Sequence, residues 1–180
     1  MNAKFINEVK SLGGLSEEDE RLLAEMKPVM ERYAPQIVAA FYQNLEKNER
    51  TRKILHAEAG RVERLKGHLT DWLLSLVEGR YDEAYYDRRY RIGHRHVEVG
   101  LEPRYVVSAM MWCRAKATDL LAEAVADDPQ WEARLAALNK AMDLDLNIML
   151  QSYDDQRIEQ FLEVTGFSKA LFENMISGEA

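Results

Sequence analysis

Apolar residues recur along this chain at steps of three and four, and no stretch alternates apolar and polar residues as a half-buried strand does. One apolar stripe lies between Val62 and Leu76, a second between Pro103 and about Val125, and a third between about Gln130 and Leu162. The third predicts a helix of about 33 residues, near 50 Å long at about 1.5 Å per residue. The pattern predicts an all-α bundle of about seven helical segments.

The helical pattern is interrupted near each end of the chain. A segment from about Ala3 to Leu12 ends at a Gly-Gly pair, after which Ser16 and Asp19 have the spacing of a capping box. The apolar set that follows Gly166 is too small to form a core of its own. We therefore assign residues 1–15 to an N-terminal helix, residues 16–162 to the core domain, and residues 163–180 to a linker helix that leads toward a possible output domain.

Charge and cysteine content narrow the classes of partner and compartment. The net charge is −7, from 24 basic and 31 acidic residues, and the basic residues are scattered, which argues against a nucleic-acid partner. The densest basic run, from Arg88 to Arg91, follows several acidic residues and predicts a solvated helix face with internal ion pairs. The single cysteine, Cys113, excludes an internal disulfide and favours a cytoplasmic location. No apolar run approaches about 20 residues, so we predict no membrane span.

The most informative stretch runs from Ile92 to Pro103, where a histidine precedes a Gly-Leu-x-Pro corner. A helix can end at Gly100, because glycine tolerates the left-handed exit, and proline suits the first turn of the next helix. His96 would then lie in a final turn, where its imidazole can offer one nitrogen to a metal while the other donates to a carbonyl or water. Taken alone, His96 also suits a half-buried structural histidine near a helix C-terminus.

Together with two earlier segments, this corner resembles the globin domain of globin-coupled sensors. The matching residues stand in the expected order and at about the expected separations: Phe41-Tyr42-x-x-Leu45, Leu65 through Leu69 to Trp72, and Ile92-Gly93-x-x-His96-x-x-x-Gly100-Leu101-x-Pro103. The resemblance implies a globin-like helical sandwich with an extra N-terminal helix and long C-terminal helices. It also implies a sensor globin domain over residues 16–162.

The resemblance further implies a haem b (iron protoporphyrin IX) between the helix of Leu65 and the helix of His96, with His96 as the iron ligand. Tyr42 matches the family's distal tyrosine, whose hydroxyl can donate a hydrogen bond to a diatomic ligand. Leu65 and Leu69 match positions that line the distal side. Further candidates for haem contact are Phe41, Val62, Ile92, Val99, Leu101 and Tyr105. Without the resemblance, Tyr42 is interpreted as a core aromatic, and the two leucines as ordinary core packing.

Two other histidines lie near these positions. His94 is two residues from His96, about 200° around a helix, so the two cannot face the same iron. We predict that His94 faces solvent or contacts residues of the site without contacting the metal. His68, on the predicted distal helix, could be a sixth iron ligand, or it could face outward or toward a propionate. We favour the outward orientation because Leu65 and Leu69 take the inward positions.

The leading hypothesis is a haem-based sensor, not an enzyme, that binds O2, CO or NO reversibly and passes the bound state to a C-terminal output domain through a helical homodimer. The dimer is predicted from the long last helix and from apolar faces that could form a two-fold four-helix interface: Met110, Met111, Met142, Leu146 and Met149. A monomer core is the alternative for these residues. Two other functions stay open. One is a stand-alone haem globin acting as an O2 carrier or NO dioxygenase, and the other is a globin-like signalling module without haem.

Overall fold

The computed structural model describes residues 2–178, and every regular element in this range is an α-helix. The all-α prediction is therefore confirmed. The helices of the described residues are α1 (Asn2–Gly13), α2 (Glu17–Glu25), α3 (Lys27–Leu45), α4 (Glu49–Leu55), α5 (Arg61–Leu76), α6 (Glu83–Glu98), α7 (Pro103–Ala124), α8 (Trp131–Thr165) and α9 (Lys169–Ser177). The predicted end segments, 1–15 and 163–180, include residues 1, 179 and 180, which lie outside the described range.

Local sequence signals set where the helices begin. The predicted capping box is confirmed, because the Ser16 hydroxyl accepts a hydrogen bond from the Asp19 amide and the Asp19 carboxylate accepts one from the Ser16 amide. Asn48 caps α4 by accepting from the amides of Arg50 and Thr51. These bonds satisfy amide groups that a helix leaves without a partner in its first turn.

More helices lie among the described residues than the seven or so predicted, because one predicted segment is divided. Pro28 lies in the first turn of α3, so the segment between Ser16 and about Lys47 forms α2 and α3. The apolar residues after Gly166 form a short helix, α9, within the segment 163–180 that was predicted as a linker helix. Helix α8 is slightly longer than predicted, because it continues to Thr165 and ends where Gly166 adopts a φ of 72°.

Helix α8 is the central element of the fold. Its most extensive contacts are with α6, and it also packs against α7, α2 and α1. On the other side of the molecule, α3 packs against α5 and α7. As a result, α5 packs mainly against α3, whereas α6 packs mainly against α8.

The basic run from Arg88 to Arg91 is not a solvated face throughout, and that prediction is wrong for Arg89. The Arg89 side chain is buried, and its Nε donates to the Asp145 carboxylate over 2.7 Å. Trp72 and Tyr85 also donate to Asp145, which is completely buried. The opposite charge that allows an arginine to be buried here comes from α8, far along the sequence.

The methionine-rich faces proposed for a dimer are largely internal. Met110, Met142 and Met149 are buried in the core of one chain, so the monomer-core alternative is correct for them. Met111 is 67% exposed, and Leu146 is partly buried against the core. Only these last two members of the predicted set remain accessible to a second copy.

The C-terminal part of α8 and all of α9 leave several large apolar side chains exposed. Phe161 contacts the rings of Phe167 and Phe172, with centroid separations of 6.1 and 5.6 Å, so the start of α9 folds back against the end of α8. No residue of α9 is buried. Within the described residues, none of the helices has the length and apolar content needed to cross a membrane.

Candidate functional site

The corner after His96 is built by the hydrogen-bonding pattern that ends many helices. Gly100 has a φ of 66°, its amide donates to the Val97 carbonyl over 2.8 Å, and the Leu101 amide donates to the His96 carbonyl over 2.9 Å. This pair of bonds is a Schellman motif, which requires the left-handed conformation that glycine adopts without strain. Helix α7 then begins at Pro103. The predicted helix stop and restart are confirmed, and His96 lies in the last turn of α6.

Two side chains that are distant in sequence donate hydrogen bonds to carbonyls of this corner. Arg50 of α4 donates from Nη2 to the Gly100 carbonyl over 2.8 Å. Tyr153 of α8 donates from its hydroxyl to the Leu101 carbonyl over 2.6 Å. Sequence analysis did not identify either residue as part of the site, because nothing local to Arg50 or Tyr153 points to a carbonyl about fifty residues away.

The His96 imidazole is partly buried and is not engaged by neighbouring side chains. Its Nδ1 atom is buried and has no hydrogen-bond partner of ordinary geometry among the described residues. Burial lowers the pKa of His96, and the Ile92 carbonyl, one helical turn earlier, opposes that shift. The ring is therefore held in the neutral form at neutral pH, which is the form that binds a metal.

His94 and His68 have different surroundings. The Nδ1 atom of His94 lies 3.2 Å from the Glu98 carboxylate, and its Nε2 atom lies 3.3 Å from the Gln156 amide nitrogen on α8. His94 is partly exposed, as predicted for a ring that does not share the direction of His96. His68 is exposed on α5, which agrees with the outward orientation.

Tyr42 is buried on α3 beside two other aromatic residues. Its side chain is 7% exposed, and its ring meets the Phe41 ring edge-on at 5.5 Å. Phe41 in turn lies 6.1 Å from the ring of Trp112 on α7. Trp112 was missed in the sequence analysis, although its position on the apolar stripe of the same helix as Val106 offered a signal.

The Tyr42 hydroxyl has no hydrogen bond to any described residue, although burial raises its pKa and keeps it protonated. Four of the other tyrosines differ in this respect, whereas Tyr86, which is equally buried, also lacks a hydroxyl partner among the described residues. The hydroxyls of Tyr81, Tyr85, Tyr90 and Tyr153 each donate to a carbonyl or carboxylate. Because the Tyr42 hydroxyl is not among the fully buried polar atoms that lack a partner, it stays accessible at the edge of the buried ring and can donate to a ligand.

The remaining predicted site residues are apolar and incompletely covered. Five of them are partly buried and pack against the core: Phe41, Val62, Leu65, Leu69 and Leu101. Ile92, four residues before His96, is also partly buried against the core. Val99 is 41% exposed, and Tyr105 stacks under the Arg104 guanidinium at 5.2 Å. Their assignment to a haem pocket stays a prediction.

A family model described as Protoglobin matches residues 2–159 of the chain, which is most of its length. The chain belongs to the protoglobin family. It is 31% identical over 154 residues to the haem-based aerotactic transducer HemAT of Halobacterium salinarum, an alignment that covers 81% of this chain and 32% of that protein. The chain therefore spans about a third of the length of that relative.

A solved structure supports the same assignment of the fold. The globin domain of the Geobacter sulfurreducens globin-coupled sensor matches this protoglobin with a TM-score of 0.76 and 31% identity, over 82% of this chain and 96% of that one. The predicted globin-like fold and the resemblance to globin-coupled sensors are both confirmed. The two relatives are described as a transducer and as part of a sensor, in agreement with the prediction of a sensor domain.

Proposed function

We propose that this protein is the haem-binding domain of a gas sensor, in which His96 holds the haem iron and Tyr42 faces the gas ligand. The observation that carries the proposal is a pair of polar groups that no neighbouring side chain engages. One is the His96 ring on α6, and the other is the Tyr42 hydroxyl on α3. The relatives add support, since one is described as a haem-based transducer.

The donor chemistry of these residues fits a haem. When bound, a haem would supply an iron that a protein histidine can hold and that binds a diatomic gas reversibly. The neutral imidazole of His96 could provide a ligand to the iron through one ring nitrogen, and the Ile92 carbonyl one turn earlier could support the other. Because the chain has a single, buried cysteine, it lacks the paired thiols of covalent haem attachment, which favours haem b.

The apolar candidates supply the walls of such a pocket. Leu65, Leu69 and Val62 lie on α5, while Ile92 lies on α6 and Leu101 on the corner. A ligand pocket is lined mostly by apolar side chains with a few polar groups that fix orientation. These side chains would exclude water around the iron, and Tyr42 would provide a hydrogen-bond donor on the distal side. Val99 is the exposed member of the proposed set.

Helix α8 supports a sensing role over a stand-alone carrier or NO dioxygenase. At 35 residues it extends beyond the packed body, and its last turns are exposed. We propose that O2 is the ligand, that two copies pair through α7 and α8, and that the bound state passes through the C-terminal helices to an output domain. The length of HemAT leaves room for such a domain in that relative. A cytoplasmic location is part of the same proposal.

The test is the visible absorption spectrum of the purified protein, reduced with dithionite and then exposed to air. We expect a Soret band that shifts reversibly with oxygen. His96→Gly should abolish the normal spectrum, and added imidazole should restore part of it by replacing the missing ligand. His94→Ala is the matched control and should retain the wild-type spectrum, because its ring contacts Glu98 and Gln156.

Other outcomes would change the proposal in defined ways. Loss of the spectrum in His94→Ala but not in His96→Gly would move the iron ligand to His94. A colourless wild-type protein that cannot take up added haemin would leave only a helical signalling module. Rapid autoxidation with sustained turnover would favour an enzyme over a sensor.

A further inference from the structure

An ion pair and several hydrogen bonds join α6 to α8, and the line of these contacts is called the α6–α8 seam. The buried Arg89–Asp145 pair lies at the beginning of this seam, where Tyr85 also donates to Asp145. Further along, the Tyr90 hydroxyl donates to Asp155 over 2.9 Å. The contacts therefore extend over most of α6, which carries His96 near its other end.

The two helices are in close contact at Gly93, three residues before His96. A Cβ atom at this position would overlap the Ser152 hydroxyl oxygen and would lie 2.8 Å from the Met149 carbonyl oxygen. Glycine is required here because the backbones of α6 and α8 are in direct contact. Such a contact leaves little room for α6 to slide or rotate against α8.

The seam continues past the end of α6 through the Tyr153 hydroxyl. Tyr153 is 3% exposed and donates to the Leu101 carbonyl over 2.6 Å. The Leu101 amide is in turn bonded to the His96 carbonyl, so a single residue, Leu101, links the tyrosine to the backbone of the histidine. Burial raises the pKa of Tyr153 to about 12, so the hydroxyl keeps its proton at neutral pH.

We propose that Tyr153 positions His96 through the Leu101 carbonyl, so that the end of α6, the corner and α8 move as one body when a gas binds. This inference rests on the proposed haem site and names the route by which the bound state leaves it. A displacement of His96 would shift Leu101 through the bond between the Leu101 amide and the His96 carbonyl. Tyr153, which donates to the Leu101 carbonyl, would carry that shift to α8. Because α8 is the helix that extends beyond the body, the displacement would reach its exposed end.

The experiment compares Tyr153→Phe with Tyr90→Phe in the haem-loaded protein. Both variants lose one hydroxyl that α6 or its corner shares with α8, but only the Tyr153 bond reaches the corner. We expect Tyr153→Phe to shift the iron–histidine stretching frequency of the ferrous protein, measured by resonance Raman. We also expect a change in the oxygen dissociation rate of about 2- to 12-fold, the effect of one hydrogen bond. Tyr90→Phe should match the wild type in both measurements.

A second measurement needs no variant and covers the case in which Tyr153→Phe does not fold. Hydrogen exchange of the wild type is compared between the ferrous and CO-bound forms. We expect residues 99–102 and 149–157 to change protection together. A change confined to α6 and the corner, with none in α8, would overturn the inference.

The outcomes separate this inference from the proposed function. A wild-type protein that binds no haem ends both. A haem-binding wild type in which Tyr153→Phe has unchanged frequency and rates overturns only the role of Tyr153. Equal shifts in Tyr153→Phe and Tyr90→Phe also overturn it, because the effect would then belong to general packing between α6 and α8.

Discussion

Arg89 and Tyr42 are both buried polar residues, but they differ in how their polar atoms are satisfied. Arg89 donates to Asp145 and Ser75, so its burial is explained by contacts within the protein. Tyr42 has a buried ring and a hydroxyl without a partner among the described residues. The Arg89 donors are already used, whereas the Tyr42 hydroxyl is free to donate, which makes Tyr42 the stronger candidate for a ligand contact.

Replacement of Tyr42 by Phe should speed oxygen dissociation. One hydrogen bond to a partly charged ligand contributes about 1–3 kcal/mol, so the rate should rise by roughly 5- to 150-fold. Stopped-flow or flash photolysis of the haem-loaded protein measures this rate. Tyr33→Phe is the control, because Tyr33 is a partly exposed tyrosine on the same helix. An unchanged rate in Tyr42→Phe would remove this residue from the gas-binding step.

At the scale of helices, glycine has opposite roles in α5 and α6. Gly93 of α6 lies against the backbone of α8, whereas a Cβ atom at Gly67 of α5 would meet nothing within 4 Å. Both residues are in helix interiors, where glycine is less favourable than alanine by roughly 0.5–1 kcal/mol. Packing therefore determines the role of Gly93, while Gly67 has no steric requirement.

Alanine substitutions at these two glycines should change stability in opposite directions. Gly93→Ala should lower the free energy of unfolding by about 1–3 kcal/mol, because the helices must separate to admit a methyl group. Gly67→Ala should raise it by about 0.5–1 kcal/mol, because alanine has less freedom to lose on folding. Urea denaturation followed by circular dichroism measures both. Equal stability of Gly93→Ala and the wild type would show that the seam can loosen without loss.

The buried polar cluster joins three helices at one carboxylate. Asp145 of α8 accepts hydrogen bonds from Trp72 of α5 and from Tyr85 and Arg89 of α6. Burial raises the pKa of Asp145, and the Arg89 cation opposes that shift. Since all three neighbours donate, the arrangement uses the ionised carboxylate as a common acceptor.

Removal of one member of the Arg89–Asp145 pair should be more damaging than removal of both. Arg89→Met leaves a buried carboxylate without its counter-charge and should lower the free energy of unfolding by about 3–5 kcal/mol. The double variant Arg89→Met with Asp145→Leu should recover most of that loss. Urea denaturation of the wild type, both single variants and the double variant gives the coupling energy. A double variant no more stable than Arg89→Met would show that the pair is not the dominant interaction.

At the scale of the whole molecule, helix α8 serves both the core and the C-terminal extension. Its first two thirds carry the buried residues that pack against α6 and α7, while its final turns and α9 expose apolar side chains. A change in how the buried part of α8 packs can therefore alter the position of its exposed C-terminal end. The burial of Met110, Met142 and Met149 limits any paired surface on α7 and α8 to residues such as Met111 and Leu146.

The proposed pairing through α7 and α8 predicts that Met111→Glu weakens self-association. A charge at the centre of an apolar contact should raise the dimer dissociation constant by at least roughly tenfold. Sedimentation velocity over a range of concentrations measures this constant. Met175→Glu is the matched control, because Met175 is 61% exposed on α9, away from the proposed contact. Loss of the dimer only in Met175→Glu would place the interface on α9 instead.

The sequence by itself determined the helices, their caps and the corner after His96. These features depend on hydrogen bonds between residues a few positions apart, as in the Ser16–Asp19 box and the Gly100 exit. The order of Tyr42, Leu65 and His96 along the chain was also enough to indicate the family, which the Protoglobin match confirms.

Only the tertiary structure decided which polar residues are buried and what they contact. Arg89 was predicted to face solvent, but its partner lies 56 positions away on α8. The Tyr153 hydroxyl reaches a carbonyl 52 positions away, and Trp112 joins Phe41 from another helix. Helical periodicity identifies a face but not the neighbour that covers it, because that neighbour is set by how distant helices pack together.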